Sequence, residues 1–211
     1  MDLERDSQCG LTSPAENSNP FATRFIKPGA LPFLFAADAS PQTLLHKLAQ
    51  NKWWGQIIGP HGVGKSSLLA ALLPSLEALG KKPYVFTIAP DRPHPTWTKD
   101  SILGWDENSL IVVDGYEQLS WWSAMRLKRL VQGRTAGLLI TAHQSMGLPP
   151  LAELSPSIEV AKQVVMKLLP PGDHTITADD VQTVFVKKQG NIRETLFELF
   201  DLYQIRSRIL P

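Results

Sequence analysis

The chain alternates short, continuous apolar runs with segments in which leucine and alanine recur at helical spacing. The apolar runs are typical of strands buried on both faces and lie at 54–58, 83–88, 109–114 and 137–143. The helical segments around them lie at 40–50, 65–79 and 120–131. Because strands that alternate with helices form a parallel sheet covered on both sides, the pattern predicts an α/β fold of three layers.

The last third of the chain has a different pattern. A proline-containing connection at 148–157 precedes a predicted short fifth strand at 158–160. Helical spacing then returns at 161–169, 177–189 and 192–207. In the last helix Arg193 shares a stripe with Phe197 and Phe200, so we expect its side chain to point toward the body of the protein.

These patterns divide the chain into three predicted regions. Residues 1–19 are polar with few large apolar groups, and we expect this tail to be disordered. Residues 20–160 form the predicted core domain, and residues 161–211 form a small helical lid.

A glycine-rich stretch connects the first predicted strand to the helix that follows it. It matches the phosphate-binding P-loop, or Walker A motif, and consists of Gly59, Pro60, His61, Gly62, Val63, Gly64, Lys65 and Ser66. Glycines let backbone N–H groups surround a phosphate, and the helix N-terminus adds partial positive charge. We expect Lys65 to contact the β- and γ-phosphates of ATP and Ser66 to bind Mg²⁺, with Ser67 completing the nucleotide site.

Aromatic and proline residues are interleaved at 20–35, which excludes a long helix there. We expect this segment to lie over the core domain with its aromatic rings inserted. Two interpretations remain open at this point. The segment covers the adenine ring of the nucleotide, or it packs against the domain and has no other role.

Polar residues follow two of the apolar runs. Asp114 ends the run at 109–114, and Thr141 and His143 lie at the end of the run at 137–143. Since ligands of open parallel sheets bind at the carboxyl ends of strands, these residues are candidates for the nucleotide site. Asp114 resembles the Walker B aspartate that holds Mg²⁺. Thr141 and His143 could sense the γ-phosphate or orient water, and the alternative is that they simply end a strand.

Composition excludes several classes of protein. The 211 residues include 21 basic and 20 acidic ones, so the net charge of +1 does not indicate a polyanion partner. Cys9 is the one cysteine, which rules out a disulfide framework within the chain. The charged N-terminus lacks the apolar stretch of a secretory signal, and no apolar run approaches the length of a membrane span. We therefore expect a cytoplasmic protein without a membrane partner.

Together, the Walker A motif, Asp114, Thr141 and the string Gly190-Asn191-Ile192-Arg193 resemble AAA+ and related STAND-type P-loop ATPases. The resemblance extends over about 20–208. It implies a P-loop NTPase sandwich whose P-loop strand lies between the fourth and fifth strands, with a C-terminal helical lid. It also implies a sensor role for Thr141 and a γ-phosphate contact for Arg193.

The sequence departs from the AAA+ pattern at the position after Asp114. AAA+ proteins usually have a glutamate there as the base for the attacking water, whereas this chain has Gly115. Glu117 instead resembles the displaced acid of STAND and NACHT proteins, and we expect it to orient the water. Arg126, Arg129 and Arg134 are candidates for an arginine finger only because they lie nearby in sequence.

The resemblance predicts an Mg²⁺-dependent ATPase that acts as a switch, or as an oligomeric motor, on an unidentified macromolecular partner. Gly115 leaves open an alternative, a regulatory module that binds ATP with negligible hydrolysis. A small-molecule kinase is a third hypothesis, disfavoured because no acceptor pocket is evident in the sequence. The basic helix at 120–131 leaves a nucleic-acid partner open, although the overall charge gives it little support.

Overall fold

A computed structural model describes residues 19–27, 30, 33–36, 39–89 and 97–209. The predicted disordered tail lies almost entirely outside the described residues. The helices are α1 (Thr23–Ile26), α2 (Pro41–Gln50), α3 (Lys65–Ala78), α4 (Lys99–Leu103), α5 (Trp121–Gly133), α6 (Ile158–Leu168), α7 (Ala178–Lys187) and α8 (Ile192–Ile209). The strands are β1 (Trp54–Ile58), β2 (Lys82–Thr87), β3 (Ser109–Asp114), β4 (Gly137–Ala142) and β5 (Pro150–Glu153).

The strands form one parallel sheet in the order β2-β3-β4-β1-β5. This confirms the predicted α/β class and the predicted position of β1 between the fourth and fifth strands. Parallel pairing leaves β1, β3 and β4 with partners on both sides. Their carboxyl ends therefore lie side by side, at the edge where ligands of such sheets bind.

Helices cover both faces of the sheet. Successive residues of a strand point to opposite faces, so a strand that is apolar throughout needs a cover on each face. Leu110 and Val112 of β3 pack in one core cluster with leucines of α2 and α3. Ile111 and Val113 pack on the other face in a second cluster, together with residues of α5. The two clusters make the predicted three-layer sandwich.

The fifth strand is not where we predicted it. Residues 158–160 belong to α6, and β5 lies earlier, at Pro150–Glu153 within the predicted connection. β5 is an edge strand, where a proline at the first position is tolerated because a missing N–H breaks no ladder bond. Ser157 accepts a hydrogen bond from the Val160 N–H at 3.2 Å and so begins the helix at Ile158.

Helices α6, α7 and α8 have a core cluster of their own, which also includes Phe21 from the N-terminal segment. Arg206 of α8 donates two hydrogen bonds to the Asp180 carboxylate of α7, at 2.6 and 2.9 Å. The three helices thus pack together at the C-terminal end of the chain, and the first of them begins at Ile158. Among the described residues, no helix combines the length and apolar character needed to cross a bilayer.

Candidate functional site

The P-loop turns from the end of β1 into the first residue of α3. Gly62 and Gly64 have φ values of 70° and 103°, in the left-handed region that glycine adopts without strain. Gly64 is the N-cap of α3 and offers no side chain to cap the helix. The first N–H groups of α3 are therefore left for an anion, and the loop from His61 to Ser67 lines a cavity of about 990 Å³.

Lys65 places a buried ammonium group at this cavity. Its Nζ donates hydrogen bonds to the carbonyl oxygens of Gly59 at 2.6 Å and Pro60 at 2.8 Å. Burial lowers the pKa of Lys65, and the carboxylates of Glu117 and Asp114 oppose that shift. Because only 9% of Lys65 is exposed, its charge acts on the cavity with little screening by water.

Asp114 is held at the end of β3 by Thr141 of β4. The Thr141 hydroxyl donates to Asp114 Oδ1 at 2.6 Å and accepts from the Gly115 N–H at 2.9 Å. Thr141 is fully buried, so both bonds are shielded from water. The sheet and the P-loop thus bring Asp114, Thr141 and Lys65 to one cavity.

Gly115 cannot be replaced by the usual glutamate without a change in the backbone. Its φ is 85°, and a Cβ atom there would lie 2.4 Å from the Ile88 carbonyl oxygen. The Ile88 N–H also donates to the Asp114 carbonyl at 2.8 Å, which holds the two segments together. The departure from the AAA+ pattern is therefore a consequence of how β3 ends.

Glu117 lies in the single 3₁₀ turn Tyr116–Gln118 and lines the same cavity as Lys65 and Asp114. Tyr116 is buried in the core below, where desolvation raises its pKa to about 12. Glu117 Oε1 lies 3.1 Å from His143 Nε2. Glu117 Oε2 is buried and has no hydrogen-bond partner among the described residues. A carboxylate at the wall of this cavity is a candidate acceptor for a proton of water.

The lid reaches the P-loop through two residues of the Gly190-Asn191-Ile192-Arg193 string. Arg193 lines the cavity, but its side chain is exposed, so our expectation that it points into the body of the protein is wrong. The buried face of α8 begins one residue earlier, with Ile192, and α8 leaves Phe197 40% exposed. Asn191 was not among the predicted site residues. It lies so close to the P-loop that its Oδ1 would be 1.8 Å from a Cβ atom built on Gly62.

The N-terminal segment forms another wall of the cavity. Phe33 and Phe35 line it, together with Ile26 and Lys27, and the two phenylalanine rings meet edge to face at 4.9 Å. Both phenylalanines also pack against the core cluster that contains α2 and α3. The segment therefore packs and lines the cavity at once, so packing and adenine contact are compatible.

The arginine-finger candidates lie elsewhere. Arg126 and Arg129 line a separate depression on α5 beside the exposed Trp122, and Arg134 is the C-cap of that helix. These three are not among the residues that line the P-loop cavity.

The described residues contain no cluster of three or more histidine, cysteine, aspartate or glutamate side chains that would hold a metal ion alone. Mg²⁺ in nucleotide sites is typically bound by one or two protein oxygens together with phosphates and water. Ser66 and Asp114 both line the cavity and are oxygen donors of this kind. The donor set therefore fits a nucleotide-borne Mg²⁺ ion.

Similarity to known proteins was found among solved structures. No protein-family model matches the chain, and no curated protein matches it. A structure of a RuvB variant from Thermotoga maritima has a TM-score of 0.52 and 12% identity, covering 83% of this chain and 70% of that chain. C. elegans PCH-2 has a TM-score of 0.41 and 13% identity, covering 79% of this chain and 69% of that chain.

RuvB is an AAA+ ATPase. At 12% sequence identity, its similarity shows the fold of this chain but neither its activity nor its partners. The Walker A motif, the sheet order and the structural match converge on one architecture. The chain has a P-loop NTPase fold, a five-stranded parallel sheet between helices, and in this fold it is similar to RuvB.

Proposed function

We propose that the protein is an Mg²⁺-dependent ATPase that acts as a nucleotide-driven switch or oligomeric motor on a macromolecular partner. The observation that carries this proposal is the convergence of three groups on one cavity. These are the open P-loop, the Asp114 carboxylate fixed by Thr141, and the Glu117 carboxylate held by His143.

Each part of ATP has a matching group in the cavity. The N–H groups at the start of α3 and the Lys65 ammonium suit the phosphates, since both offer positive charge. Lys65 Nζ would exchange its bonds to the Gly59 and Pro60 carbonyls for bonds to phosphate oxygens. Phe33 and Phe35 offer apolar surface to the adenine ring. Ser66 and Asp114 would hold Mg²⁺, which supplies neutralisation of the charge on the β- and γ-phosphates.

For hydrolysis, Glu117 would accept a proton from a water molecule whose oxygen bonds to the γ-phosphorus. The bond from that phosphorus to the oxygen bridging the β-phosphate breaks, which leaves ADP and inorganic phosphate. Lys65 lies in the same cavity and would stabilise charge on the phosphate oxygens during the transfer. Arg193 reaches this cavity from the lid, and we assign it contact with the γ-phosphate.

One observation favours a second candidate, an ATP-binding regulatory module with negligible turnover. Gly115 occupies the position of the usual AAA+ base, and a Cβ atom there would lie 2.4 Å from the Ile88 carbonyl oxygen. Hydrolysis therefore depends on Glu117 alone among the acids after Asp114 in this turn. If Glu117 does not activate water, the site holds ATP and releases it unchanged.

For the partner, α5 presents the exposed side chains of Trp121, Trp122, Arg126 and Arg129. Exposed aromatic and basic groups of this kind occur at contacts between subunits and at nucleic-acid interfaces. A homo-oligomer or a nucleic-acid partner therefore remains part of the proposal through this helix.

The test combines ATP binding with phosphate release. Lys65→Ala should weaken MgATP binding by at least about 10-fold, because it removes a charge-assisted phosphate contact of roughly 1.5–3 kcal/mol. Lys47→Ala is the control, because it removes a lysine that lies outside the P-loop. Lys47 is an exposed residue of α2 that lines the cavity and donates a hydrogen bond to the Leu151 carbonyl. Binding by Lys65→Ala within twofold of the wild type would refute the assignment of the P-loop.

Steady-state phosphate release then separates the candidates. Release by the wild type without any acceptor supports the ATPase, and tight binding without release supports the regulatory module. Release of ADP that requires an added small acceptor, with no inorganic phosphate, would instead indicate a kinase.

A further inference from the structure

His143 is a residue of the cavity to which the proposed reaction assigns no role. It follows the last residue of β4, and its Nε2 lies 3.1 Å from Glu117 Oε1. The other side of its ring faces His61 of the P-loop, with ring centroids 3.6 Å apart and an interplanar angle of 56°. His143 thus lies between the candidate base and the phosphate-binding loop.

The loop that follows His143 is fixed by a buried side chain of the central strand. Gln56 of β1 donates to Ser145 Oγ at 3.0 Å and to the Leu148 carbonyl at 2.6 Å, and it accepts from the Met146 N–H at 2.8 Å. Gln56 is 1% exposed, so these bonds are shielded from water. The backbone around His143 is therefore held in place from both ends, by β4 and by this network.

The surroundings of His143, burial above all, lower its pKa and favour its neutral form. Burial lowers the pKa of His143, Lys65 of α3 and His61 of the P-loop act in the same direction, and the Glu117 carboxylate opposes them. A neutral imidazole that faces a carboxylate donates a hydrogen bond to it through an N–H group, because a ring lone pair directed at the carboxylate would be repelled. The Nε2–H group therefore donates to Glu117 Oε1 near neutral pH.

This contact leaves the two oxygens of Glu117 in different environments. Oε1 has a donor, whereas Oε2 is buried and has no hydrogen-bond partner among the described residues. A glutamate side chain has several rotatable bonds, so one fixed oxygen restricts where the other lies. The contact with His143 therefore fixes the orientation of the whole carboxylate at the wall of the cavity.

We propose that His143 is a positioning residue that anchors Glu117 Oε1 and thereby holds the carboxylate in the orientation from which it accepts a proton of the hydrolytic water. The inference rests on the proposed ATPase function and assigns a regulating group to that same site. When His143 becomes protonated, the imidazolium pairs with the carboxylate and makes it a weaker base. Turnover should therefore fall on the acidic side of neutral pH through a step that belongs to His143.

Three substitutions separate positioning from other roles. In His143→Gln the amide nitrogen reaches about the place of Nε2 and donates, but it cannot gain a proton in this pH range. In His143→Asn the shorter amide does not reach Oε1, and His143→Ala has no donor. His46→Gln is the control, because His46 is exposed on α2, bonded to Gln50 at 2.9 Å, and absent from the lining of the cavity.

ATP turnover and ATP affinity are measured for each variant between about pH 5.5 and 8.5, the range in which histidine titrates. We expect His143→Asn and His143→Ala to lower kcat by about 10-fold or more while ATP affinity changes less than threefold, since positioning affects the reacting geometry. His143→Gln should keep most of the turnover at the alkaline end and lose the His143-dependent decline at the acidic end. His46→Gln should match the wild type.

Two results would overturn the inference while the ATPase function stands. In the first, an active wild type has a kcat that none of the His143 variants changes. In the second, ATP affinity falls in all three variants with unchanged kcat, which would make His143 a phosphate contact. A wild type without phosphate release would overturn the proposed ATPase, and the positioning role with it, and is recognised from the wild type alone.

Discussion

The backbone at Gly115 provides a quantitative test of why the usual AAA+ acid is displaced. Gly115 and Gly172 have nearly the same left-handed conformation, with φ values of 85° and 83°. They differ in their surroundings. A Cβ on Gly115 would lie 2.4 Å from the Ile88 carbonyl oxygen, whereas a Cβ on Gly172 would have nothing within 4 Å. Alanine at the two positions therefore separates the conformational penalty from the steric one.

Both substitutions carry the cost of a left-handed alanine, roughly 1–2 kcal/mol. Gly115→Ala adds an overpacking cost of about 1–3 kcal/mol, because the hydrogen bond from the Ile88 N–H to the Asp114 carbonyl resists separation of the two segments. We therefore expect Gly172→Ala to lower the free energy of unfolding by roughly 1–2 kcal/mol and Gly115→Ala to lower it by roughly 2–5 kcal/mol.

Urea denaturation followed by circular dichroism measures both free energies under identical conditions. Gly115→Glu extends the test to function. It should be at least as destabilised as Gly115→Ala and should not raise ATP turnover, since its backbone cannot present the side chain without displacing Ile88. Equal destabilisation by the two alanine variants, or a faster enzyme with glutamate at 115, would refute the steric argument.

Three further predictions follow from the contacts around the site and the lid. Thr141→Val should lower the free energy of unfolding by roughly 1–3 kcal/mol, because it leaves the Gly115 N–H and Asp114 without their partner. The same substitution should weaken ATP binding more in the presence of Mg²⁺ than in the presence of EDTA. Calorimetry with and without the ion measures this difference. Arg193→Ala should weaken ATP binding more than ADP binding if Arg193 contacts the γ-phosphate; equal losses measured for the two nucleotides would assign it a structural role. Hydrogen bonding from Arg206 lowers the pKa of Asp180 from 3.8 to about 2, so this pair stabilises the fold above pH 3.8 and loses its effect as pH falls through about 2. The stability difference between the wild type and Asp180→Asn, measured by urea denaturation at several pH values, should therefore shrink over that acidic window and stay constant above it.

The sequence predicted the sheet and the P-loop because both depend on strong local signals. A continuous apolar run such as 109–114 has few alternatives to a buried strand, and the P-loop motif fixes the turn that joins β1 to α3. The bond from Thr141 to Asp114 was not predicted itself. Both residues were nevertheless expected at one edge, because neighbouring parallel strands end together.

The errors arose where the local signal was ambiguous. Pro150 indicated a loop, and only the edge position of β5, a property of the whole sheet, makes it acceptable in a strand. Along α8 two stripes fit helical spacing equally well. The stripe that starts at Ile192 is buried and the stripe that starts at Arg193 is not, since the lid core prefers aliphatic side chains to a charged one.

The direction of Glu117 was a hypothesis that the sequence left open, because a short turn can carry a side chain inward or outward. The buried Tyr116 and the contact with His143 place the carboxylate at the cavity. These are tertiary contacts between β3, β4 and the turn, and no local pattern encodes them. The proximity of Asn191 to Gly62 is of the same kind.

Single-turnover hydrolysis of ATP by the wild type and Glu117→Gln tests the central claim most directly. The substitution keeps the shape of the side chain and removes the base, so ATP binding should stay within a few-fold of the wild type while the hydrolysis rate falls by about 10²-fold or more. Equal hydrolysis rates in the two proteins, or a wild type that binds MgATP tightly and never cleaves it, would contradict the account of this site as an ATPase built around Glu117.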